Sequence, residues 1–234
     1  IQSSYYKKIV YNEDADAYEV KRFNISSNVF GVGDNTANQI SNTYTEVFYT
    51  PVAIRAGATA TAQASIGQND TAFLLSAAGA VVAKGSSANY VFGNGSNIGT
   101  TGTADLPFRA LAVTGGDHNA FAITFQMTNN ATGNAVQVAP EATGNLYGWG
   151  YNGNLAITMD SGVNVVEQPL LMSNTQFQLD GKDTTGIAAA RNDILVVSGG
   201  ASVALLNGEG QLVMAGANGH RQLGVGNNSV SNGV

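Results

Sequence analysis

Four glycine-centred segments that recur along the chain place the strongest limit on its fold. In each one, a short run of mainly apolar residues ends at a glycine, and the four glycines are spaced by 52, 65 and 66 residues. The segments are Asn28–Asn35, Gly79–Gly85, Gly144–Asn152 and Gly210–Asn218, with the shared glycines at Gly33, Gly85, Gly150 and Gly216. A repeat of this length is one supersecondary unit, which buries its apolar face only by stacking on its neighbours.

Prolines and apolar runs recur at similar distances from the shared glycines. Prolines follow the first three glycines by 18, 22 and 19 residues, at Pro51, Pro107 and Pro169. Apolar runs precede the last three glycines, at Thr71–Leu75, Ala120–Ile123 and Val203–Leu206. Each unit is therefore predicted to contain a strand, a Gly/Asn loop, a Pro-marked strand, a further strand and a hairpin into the next copy.

This organisation predicts an all-β chain, folded as a β-propeller with four-stranded antiparallel blades built from about four degenerate repeats. The predicted blades lie near 28–78, 79–143, 144–209 and 210–234, the last of them incomplete. Hairpin turns are predicted at Ser76–Gly79 and Asn207–Gly210. Eight apolar side chains are expected to be buried between blades: Phe73, Leu75, Phe121, Ile123, Leu146, Trp149, Leu205 and Val213.

Two segments depart from the repeat. Residues 1–23 carry a dense mixture of charges, and the runs Tyr5–Tyr11 and Tyr18–Phe23 predict a hairpin that acts as a connector or as the edge of the fold. The stretch Thr128–Thr143 lacks alternation and interrupts the second unit, which indicates a surface insertion.

The charge balance excludes several function classes. Charged residues make up 11% of the chain, and the net charge is −6. A nucleic-acid binder needs a basic patch, which ten Lys plus Arg in 234 residues do not suggest. No apolar run approaches the ~20 residues that span a bilayer. Cysteine is absent, so disulfides and thiolate metal sites are excluded.

The unit resembles the regulator-of-chromosome-condensation repeat, whose pattern is Gly-x-Val-Tyr-x-Trp-Gly-x-Asn, then Gly-Gln-Leu-Gly-x-Gly, then Pro, then Gly-x-x-His before an apolar strand. The three matching elements are Gly144–Asn152, Gln222–Gly226 and Gly115–His118. The first copy departs from the pattern, with Gln39-Ile40-Ser41 where Gly-x-Gly belongs. The resemblance covers about residues 28–234 and implies a seven-bladed propeller. Seven blades need more residues than this chain has, so a longer polypeptide or another chain is expected to complete the ring.

Motifs that could carry chemistry are better explained by turns. Gly148–Gly153 matches G-x-G-x-x-G, but a Pro-marked β segment follows it where a dinucleotide site needs a helix. Asn12–Asp16 is similar to the start of a calcium loop but lacks the Gly at the sixth position and has Phe23 where the bidentate Glu belongs. A solvated turn is therefore favoured there.

The remaining candidates are two histidines and one pair of carboxylates. The resemblance implies a structural role for His118, and His220 lies in a predicted turn. Asp180 and Asp183 flank Lys182 in an apparent loop, and a carboxylate pair meeting across blades stays open as a glycosidase alternative. We expect no catalytic, cofactor-binding or metal-binding residue and no enzymatic activity, and the sequence does not identify the binding residues.

The preferred functional hypothesis is a structural or binding component of a tailed-phage virion, in a tail fibre, a baseplate or a surface decoration. Low charge with abundant Asn, Thr, Gly and Ala resembles phage fibre and adhesin chains, and degenerate propellers of this family are expected in virions. The expected partners are other virion proteins, copies of the chain itself, or a host-surface glycan or receptor, without nucleic acid or membrane insertion. The alternatives are a bacterial or archaeal surface adhesin or sensor propeller and, third, a nucleotide-exchange module. The terminal repeat segments Gly210–Ala217 and Val29–Val32 carry no charge. Their edges are therefore expected to be covered, either by the rest of the same polypeptide or by neighbouring subunits of an assembly.

Overall fold

The computed structural model describes residues 5–12, 17–24, 29–42, 47–54, 61–68, 70–125, 128–129, 135–137, 144–172, 195–206 and 212–224. Apart from a single-turn 3₁₀ helix at Ala88–Tyr90, the regular elements of these residues are all strands. The strands are β1 Tyr5–Asn12, β2 Ala17–Asn24, β3 Val29–Gly33, β4 Phe48–Ile54, β5 Thr61–Ile66, β6 Thr71–Ser76, β7 Val81–Gly85, β8 Thr101–Thr103, β9 Arg109–Gly115, β10 Asn119–Phe125, β11 Thr128–Asn129, β12 Ala135–Gln137, β13 Gly144–Tyr151, β14 Val165–Leu171, β15 Leu195–Gly199, β16 Ser202–Leu206 and β17 Leu212–Gly216. None of the described helical residues forms a segment long and apolar enough to cross a membrane.

The repeat strands form four antiparallel sheets in chain order. Sheet 1 is β3–β4, sheet 2 is β5–β6–β7–β8, sheet 3 is β9–β10–β13–β14 and sheet 4 is β15–β16–β17. The two strands predicted near the N-terminus are confirmed as the antiparallel pair β1–β2, which joins Tyr5 to Asn24 in register, whereas their role as a connector or an edge stays a prediction. The predicted insertion contributes a short pair, β11–β12, between the second and third strands of sheet 3.

The shared glycines lie at or next to the end of β7, β13 and β17, the third strands of sheets 2, 3 and 4, and of β3 in sheet 1. By this alignment, β3 and β4 are equivalent to the third and fourth strands of the other sheets. The backbone at these positions explains why the repeat requires glycine there. Their φ angles are 107°, 117°, 96° and 112°, in the left-handed region that disfavours other residues. A β-carbon on Gly85, Gly150 or Gly216 would also collide with a carbonyl oxygen, that of Asp70, His118 or Ala201. Each repeat, counted from its glycine segment, thus begins with the third strand of one sheet and ends with the second strand of the next.

The sheets stack face to face, and we call the side toward the following sheet the front and the other side the rear. In sheet 2 the front residue Phe73 reaches Gly115 of sheet 3, whereas the rear residue Leu74 packs with Ile40 and Ile54 of the first unit. Every residue of β6 is buried because both faces of sheet 2 are covered. The eight side chains predicted to be buried are confirmed, with exposures from 0% to 5%.

The proline landmarks agree with the fold in two of three cases. Pro51 lies in β4 and Pro169 in β14, both of them fourth strands. Pro107 does not mark a strand, because β8 already ends at Thr103 and a bend precedes β9. The turn predicted at Ser76–Gly79 is confirmed by the hydrogen bond that the Gly79 N–H donates to the Ser76 carbonyl. The turn predicted at Asn207–Gly210 lies outside the described residues.

Candidate binding surface

Antiparallel order places two kinds of connection at the same end of the described sheets. One is the inner turn between the first and second strands of sheets 2, 3 and 4, and the other is the outer loop that follows the third strand, or β3 in sheet 1. We call this end of the sheets the turn face. Its described residues are 34–42, 67–68, 70, 86–100, 116–118, 152–164, 200–201 and 217–224.

A buried asparagine two residues after the shared glycine organises the outer loops. In unit 3, the Asn152 Oδ1 accepts hydrogen bonds from the N–H groups of Ile157 (2.9 Å) and Thr158 (3.0 Å). Its Nδ2 donates to the carbonyls of Thr158 (3.0 Å) and Val163 (2.8 Å). One amide thus satisfies four backbone groups of a loop that has no regular structure of its own.

The same arrangement recurs in units 1 and 4. Asn35 accepts from the Ile40 N–H at 2.6 Å, and Asn218 accepts from the Leu223 N–H at 3.1 Å. The apolar residue five positions after each asparagine is buried, at Ile40, Ile157 and Leu223. Unit 2 differs, because Ser87 replaces the asparagine and donates from its Oγ to the Asn97 carbonyl (2.8 Å). Phe92 nevertheless keeps the buried apolar position.

The residue three positions after the asparagine, or after Ser87, lies at the tip of each outer loop in a left-handed conformation. We call these four the tip residues: Asn38 (φ 65°), Tyr90 (φ 59°), Leu155 (φ 56°) and Arg221 (φ 60°). Arg221 is exposed, and the other three are half-buried. The backbone of the tip is therefore constant, while its side chain differs in every unit.

The inner turns of sheets 2, 3 and 4 are joined in series by backbone hydrogen bonds. The Gln68 N–H donates to the Gly116 carbonyl (3.0 Å), and the Asp117 N–H donates to the Gly200 carbonyl (2.7 Å). A β-carbon on Gly67 or Gly116 would lie 2.9 Å from the carbonyl oxygen of the next turn, so glycine permits this approach.

Each inner turn is also tied to the outer loop of its own sheet. The first residue of the second strand donates from its side chain to the carbonyl that follows the shared glycine. The bonds are Thr71 to Ser86 (2.8 Å), Asn119 to Tyr151 (3.3 Å) and Ser202 to Ala217 (3.0 Å). The Oδ1 of Asn119 is buried and accepts no hydrogen bond from the described residues.

Polar contacts join the first strands of neighbouring sheets. The Gln63 amide exchanges two hydrogen bonds with the backbone of Val113, both at 3.1 Å. The Gly115 N–H donates to the Ser65 Oγ (3.0 Å), and the hydroxyls of Thr114 and Ser198 lie 3.2 Å apart. First strands are thus held by directional bonds, whereas second and third strands are held by apolar packing.

The histidines occupy turn-face positions. His118 lies in the inner turn of sheet 3 at φ 59°, with its Nδ1 3.6 Å from the Asp117 carboxylate. The ring of Tyr151 meets it edge to face, with centroids 6.4 Å apart. His220 is exposed in the outer loop of unit 4. Among the described residues, no group of three or more His, Asp or Glu side chains is placed to hold a metal ion.

Of the remaining sequence candidates, the glycine motif lies within the described residues, whereas most of the calcium-like segment and the carboxylate pair do not. Gly148 to Tyr151 form the end of strand β13, and only Asn152 and Gly153 lie in the loop that leads to β14, so a strand follows this segment. Residues 13–16 of the calcium-like segment lie outside the described residues, as do Asp180 and Asp183. Their interpretations stay predictions.

Burial shifts the pKa of two groups on rear faces. Desolvation lowers the pKa of Lys84, which is 8% exposed, and raises the pKa of Tyr147. Apolar residues hold the position equivalent to Lys84 in sheets 3 and 4, Trp149 and Ala215. The Trp149 indole N–H donates to the Val91 carbonyl of the preceding unit (2.7 Å), which joins sheet 3 to that unit.

Comparison with known proteins establishes the fold alone. The chain matches no protein-family model, and no curated protein matches it. The crystal structure of human WBSCR16 is similar with a TM-score of 0.63 and 17% identity over 88% of this chain and 47% of that one. Yeast RCC1 (Prp20) bound to Kap60 is similar with a TM-score of 0.56 and 16% sequence identity, over 81% of this chain and 38% of that one. Prp20p of Saccharomyces cerevisiae, in a structure titled with its binding properties to Gsp1p and histones, has a TM-score of 0.52 and 16% identity, over 81% of this chain and 39% of that one.

The fold is therefore that of part of an RCC1-like β-propeller, as the sequence predicted. The chain spans less than half the length of each of these solved structures.

Proposed function

We propose that this chain is a non-enzymatic binding module that presents the side chains of its turn face to a partner. The tip residues carry this proposal. A left-handed conformation costs an L-residue other than Gly roughly 1–2 kcal/mol, with Asn the best tolerated. Glycine would remove that cost, yet the four tips hold Asn38, Tyr90, Leu155 and Arg221. Backbone strain that is kept in repeated copies favours a role for the side chains themselves.

The scaffold beneath the tips supports this role. Each outer loop is fixed from below by a buried polar residue and a buried apolar residue, so a partner would meet a preorganised surface. Binding to an ordered surface avoids much of the entropy cost of fixing loops. This separation of constant support from variable tips is the organisation by which repeat proteins form extended binding surfaces.

The electrostatics of the turn face favour a neutral or basic partner. Its described charged side chains are four carboxylates, at Asp34, Asp70, Asp117 and Asp160, and one guanidinium, at Arg221. Such a face repels nucleic-acid phosphates. The titles of the similar yeast structures describe protein partners of Prp20, which supports a protein as one class of ligand.

We place this module in the virion of a tailed phage, as part of a tail fibre, baseplate or surface decoration. Support comes from the low charge and the Asn-, Thr-, Gly- and Ala-rich composition. The partners would then be neighbouring virion proteins or a glycan or receptor of the host surface. Location of the gene among tail genes is the expected result. A signal peptide and a cell-wall anchor would favour a cellular adhesin instead, and a partner GTPase would favour nucleotide exchange.

The binding role is tested by removing the tip side chains while keeping their backbone. The variant Asn38→Gly, Tyr90→Gly, Leu155→Gly, Arg221→Gly retains the left-handed tips because glycine adopts that conformation freely. Labelled protein is titrated onto intact cells of the bacterium associated with the gene, with Ala78→Lys in the hairpin at the opposite end as the matched control. We expect at least a tenfold loss of binding for the glycine variant and none for the control. Equal binding by all three proteins, or release of sugar from the cell envelope, contradicts the proposal.

A further inference from the structure

The outer loop of unit 2, residues 86–100, differs from the other outer loops in charge. It contains no charged residue, whereas the loops of units 1, 3 and 4 contain Asp34, Asp160 and Arg221. It also carries Ile98, which is 78% exposed and is the one exposed large apolar side chain of the described turn face. A single exposed apolar residue is ordinary on a protein surface, so its meaning depends on how it is held.

Hydrogen bonds on both sides hold the backbone near Ile98 in place. The Ile98 N–H donates to the Ser96 Oγ (3.3 Å), and the Ser96 N–H donates to the Asn94 Oδ1 (3.1 Å). The Gly95 N–H donates to the Glu167 carbonyl of β14 (3.1 Å), which fastens the loop to sheet 3. Ile98 is therefore presented by an ordered loop, and such preorganisation lowers the entropy cost of binding a partner.

The same loop carries the tip residue Tyr90 on a strained backbone. Asn89 and Tyr90 are both left-handed, at φ 57° and 59°, whereas each of the other tips has one left-handed residue other than glycine. The hydrogen bond from the Ser87 Oγ to the Asn97 carbonyl closes the loop, so Tyr90 and Ile98 are presented together. Tyr is among the residue types that supply most of the binding energy at protein interfaces.

Exposed carboxylates border this loop. Three residues whose backbones are hydrogen-bonded to it carry them: Asp70, Asp105 and Glu167. These backbone bonds are 2.9 to 3.1 Å long, so the acidic residues adjoin the loop directly. Protein interfaces combine an apolar centre with a polar rim, and their charges are complementary across the contact. An uncharged loop with an acidic border thus matches an apolar patch with a basic border.

We propose that the unit 2 loop is the main contact of the turn face, and that its partner is a protein surface with an apolar patch bordered by basic side chains. This role depends on the binding function proposed for the turn face and adds the chemistry of its partner. The Ile98 side chain neither donates nor accepts a hydrogen bond. An apolar protein patch therefore suits it better than a sugar, whose hydroxyls would lose water without gaining a hydrogen bond.

The first test uses a synthetic amphipathic helix of Leu and Lys, in which a stripe of leucines is bordered by lysines, as a mimic of that surface. We expect the natural chain to bind this helix and Ile98→Ser to bind it about tenfold more weakly. Ile66→Ser is the matched control, because Ile66 is 77% exposed but lies in β5, outside the loop. Fluorescence anisotropy of the labelled helix measures all three affinities.

The acidic border is tested with neutral isosteres at its three positions: Asp70→Asn, Asp105→Asn, Glu167→Gln. We expect this variant to bind the Leu/Lys helix about tenfold more weakly and with less dependence on salt, since salt screens exposed charges. The control removes the same number of carboxylates from the rest of the turn face: Asp34→Asn, Asp117→Asn, Asp160→Asn. It should change the affinity little, and a helix of Leu and Glu should not bind the natural chain.

Several results would overturn the proposal. They are no binding of the Leu/Lys helix by the natural chain, equal binding by Ile98→Ser, and equal weakening by the two sets of carboxylate variants. Binding of the natural chain to immobilised glycans that Ile98→Ser abolishes would identify a sugar as the ligand instead. Because Ile98 is exposed, Ile98→Ser should keep the natural unfolding transition, and Ile98→Thr repeats the test should it fail to fold.

The cell titration separates this proposal from the binding role of the whole turn face. If the variant with glycine at positions 38, 90, 155 and 221 loses binding while Ile98→Ser keeps it, the turn face binds through other loops. In that case the binding function stands, and the assignment to the unit 2 loop is wrong. Loss of binding by both variants supports both proposals.

Discussion

Sheets 2 and 3 and the end sheets 1 and 4 are built from the same repeat, yet the same positions have different surroundings. Leu146 of sheet 3 is completely buried, whereas its sheet 4 equivalent Leu212 is 56% exposed. The residue type is identical, so the difference arises from whether another described sheet packs on that face. In a stacked repeat, burial is therefore a property of the neighbour as much as of the residue.

The largest expected difference is between the free energies of unfolding after truncation of these two leucines. Leu146→Ala should lower the free energy of unfolding by about 2–5 kcal/mol, because it leaves a cavity in a closed interface. Leu212→Ala should change it by less than about 0.5 kcal/mol in the monomer, since an exposed side chain loses little on truncation. Urea denaturation of both variants under monomeric conditions measures the contrast. Equal losses would show that the last sheet is covered by its own chain.

A second contrast compares the outer loops. Asn152→Ala removes four hydrogen bonds and leaves buried backbone groups unpaired, so we expect a loss of about 2–3 kcal/mol. Ser87→Ala in unit 2 removes one bond and should cost about 1 kcal/mol. Thermal unfolding of the two variants ranks them. A larger loss for Ser87→Ala would mean that the loop of unit 2 is held in a different way.

Lys84 provides a contrast in pH dependence with its apolar equivalents Trp149 and Ala215. Burial lowers the pKa of Lys84 in the folded chain, so the unfolded chain binds more protons at alkaline pH. Stability should therefore rise as the pH rises from the folded-state pKa toward the usual value of 10.5, and level off above it. Lys84→Met should remove this rise and increase stability at neutral pH. Unfolding curves at a series of pH values for both proteins test this, and identical slopes would refute it.

The smallest effect concerns the first residue of the second strand, which is Thr71 in sheet 2 and Asn119 in sheet 3. The Asn119 Oδ1 is buried without a partner among the described residues, so Asn119→Thr removes an unsatisfied acceptor. The threonine hydroxyl can keep the bond to the carbonyl beyond the glycine, as Thr71 does. We expect a gain of at most about 1 kcal/mol in unfolding free energy. A clear loss would show that Oδ1 has a partner of its own.

The sequence predicted the strands and the buried face well, because both depend on local patterns. The glycine spacing located the third strands, and apolar runs such as Ala120–Ile123 located the second strands. The boundaries of the blades were harder to predict from the sequence, because non-local strand pairing defines a sheet. Each repeat begins at the third strand of one sheet and not at its first strand. The prediction that Pro107 marks a strand was wrong, because β8 is short and the proline lies in the bend between β8 and β9.

The candidate surface was predicted only in part. Asn35, Asn152 and Asn218 stand two residues after a shared glycine, with an apolar residue five positions later, so the signal for the outer loops was present in the sequence. The links between inner turns could not be predicted, because they join backbone atoms of Gln68, Gly116, Asp117 and Gly200 and leave no side-chain pattern. The left-handed conformation of the tip residues could not be predicted either, because leucine and arginine, the residues at positions 155 and 221, rarely adopt it.

We propose that the tip side chains serve binding, while the residues beneath them hold the fold. The most direct test is the free energy of unfolding of the variant with glycine at positions 38, 90, 155 and 221. We predict a value within about 1 kcal/mol of the natural protein, because glycine relieves the left-handed strain while it raises the entropy of the unfolded chain. A loss of several kcal/mol would show that these side chains are structural, and would contradict the claim.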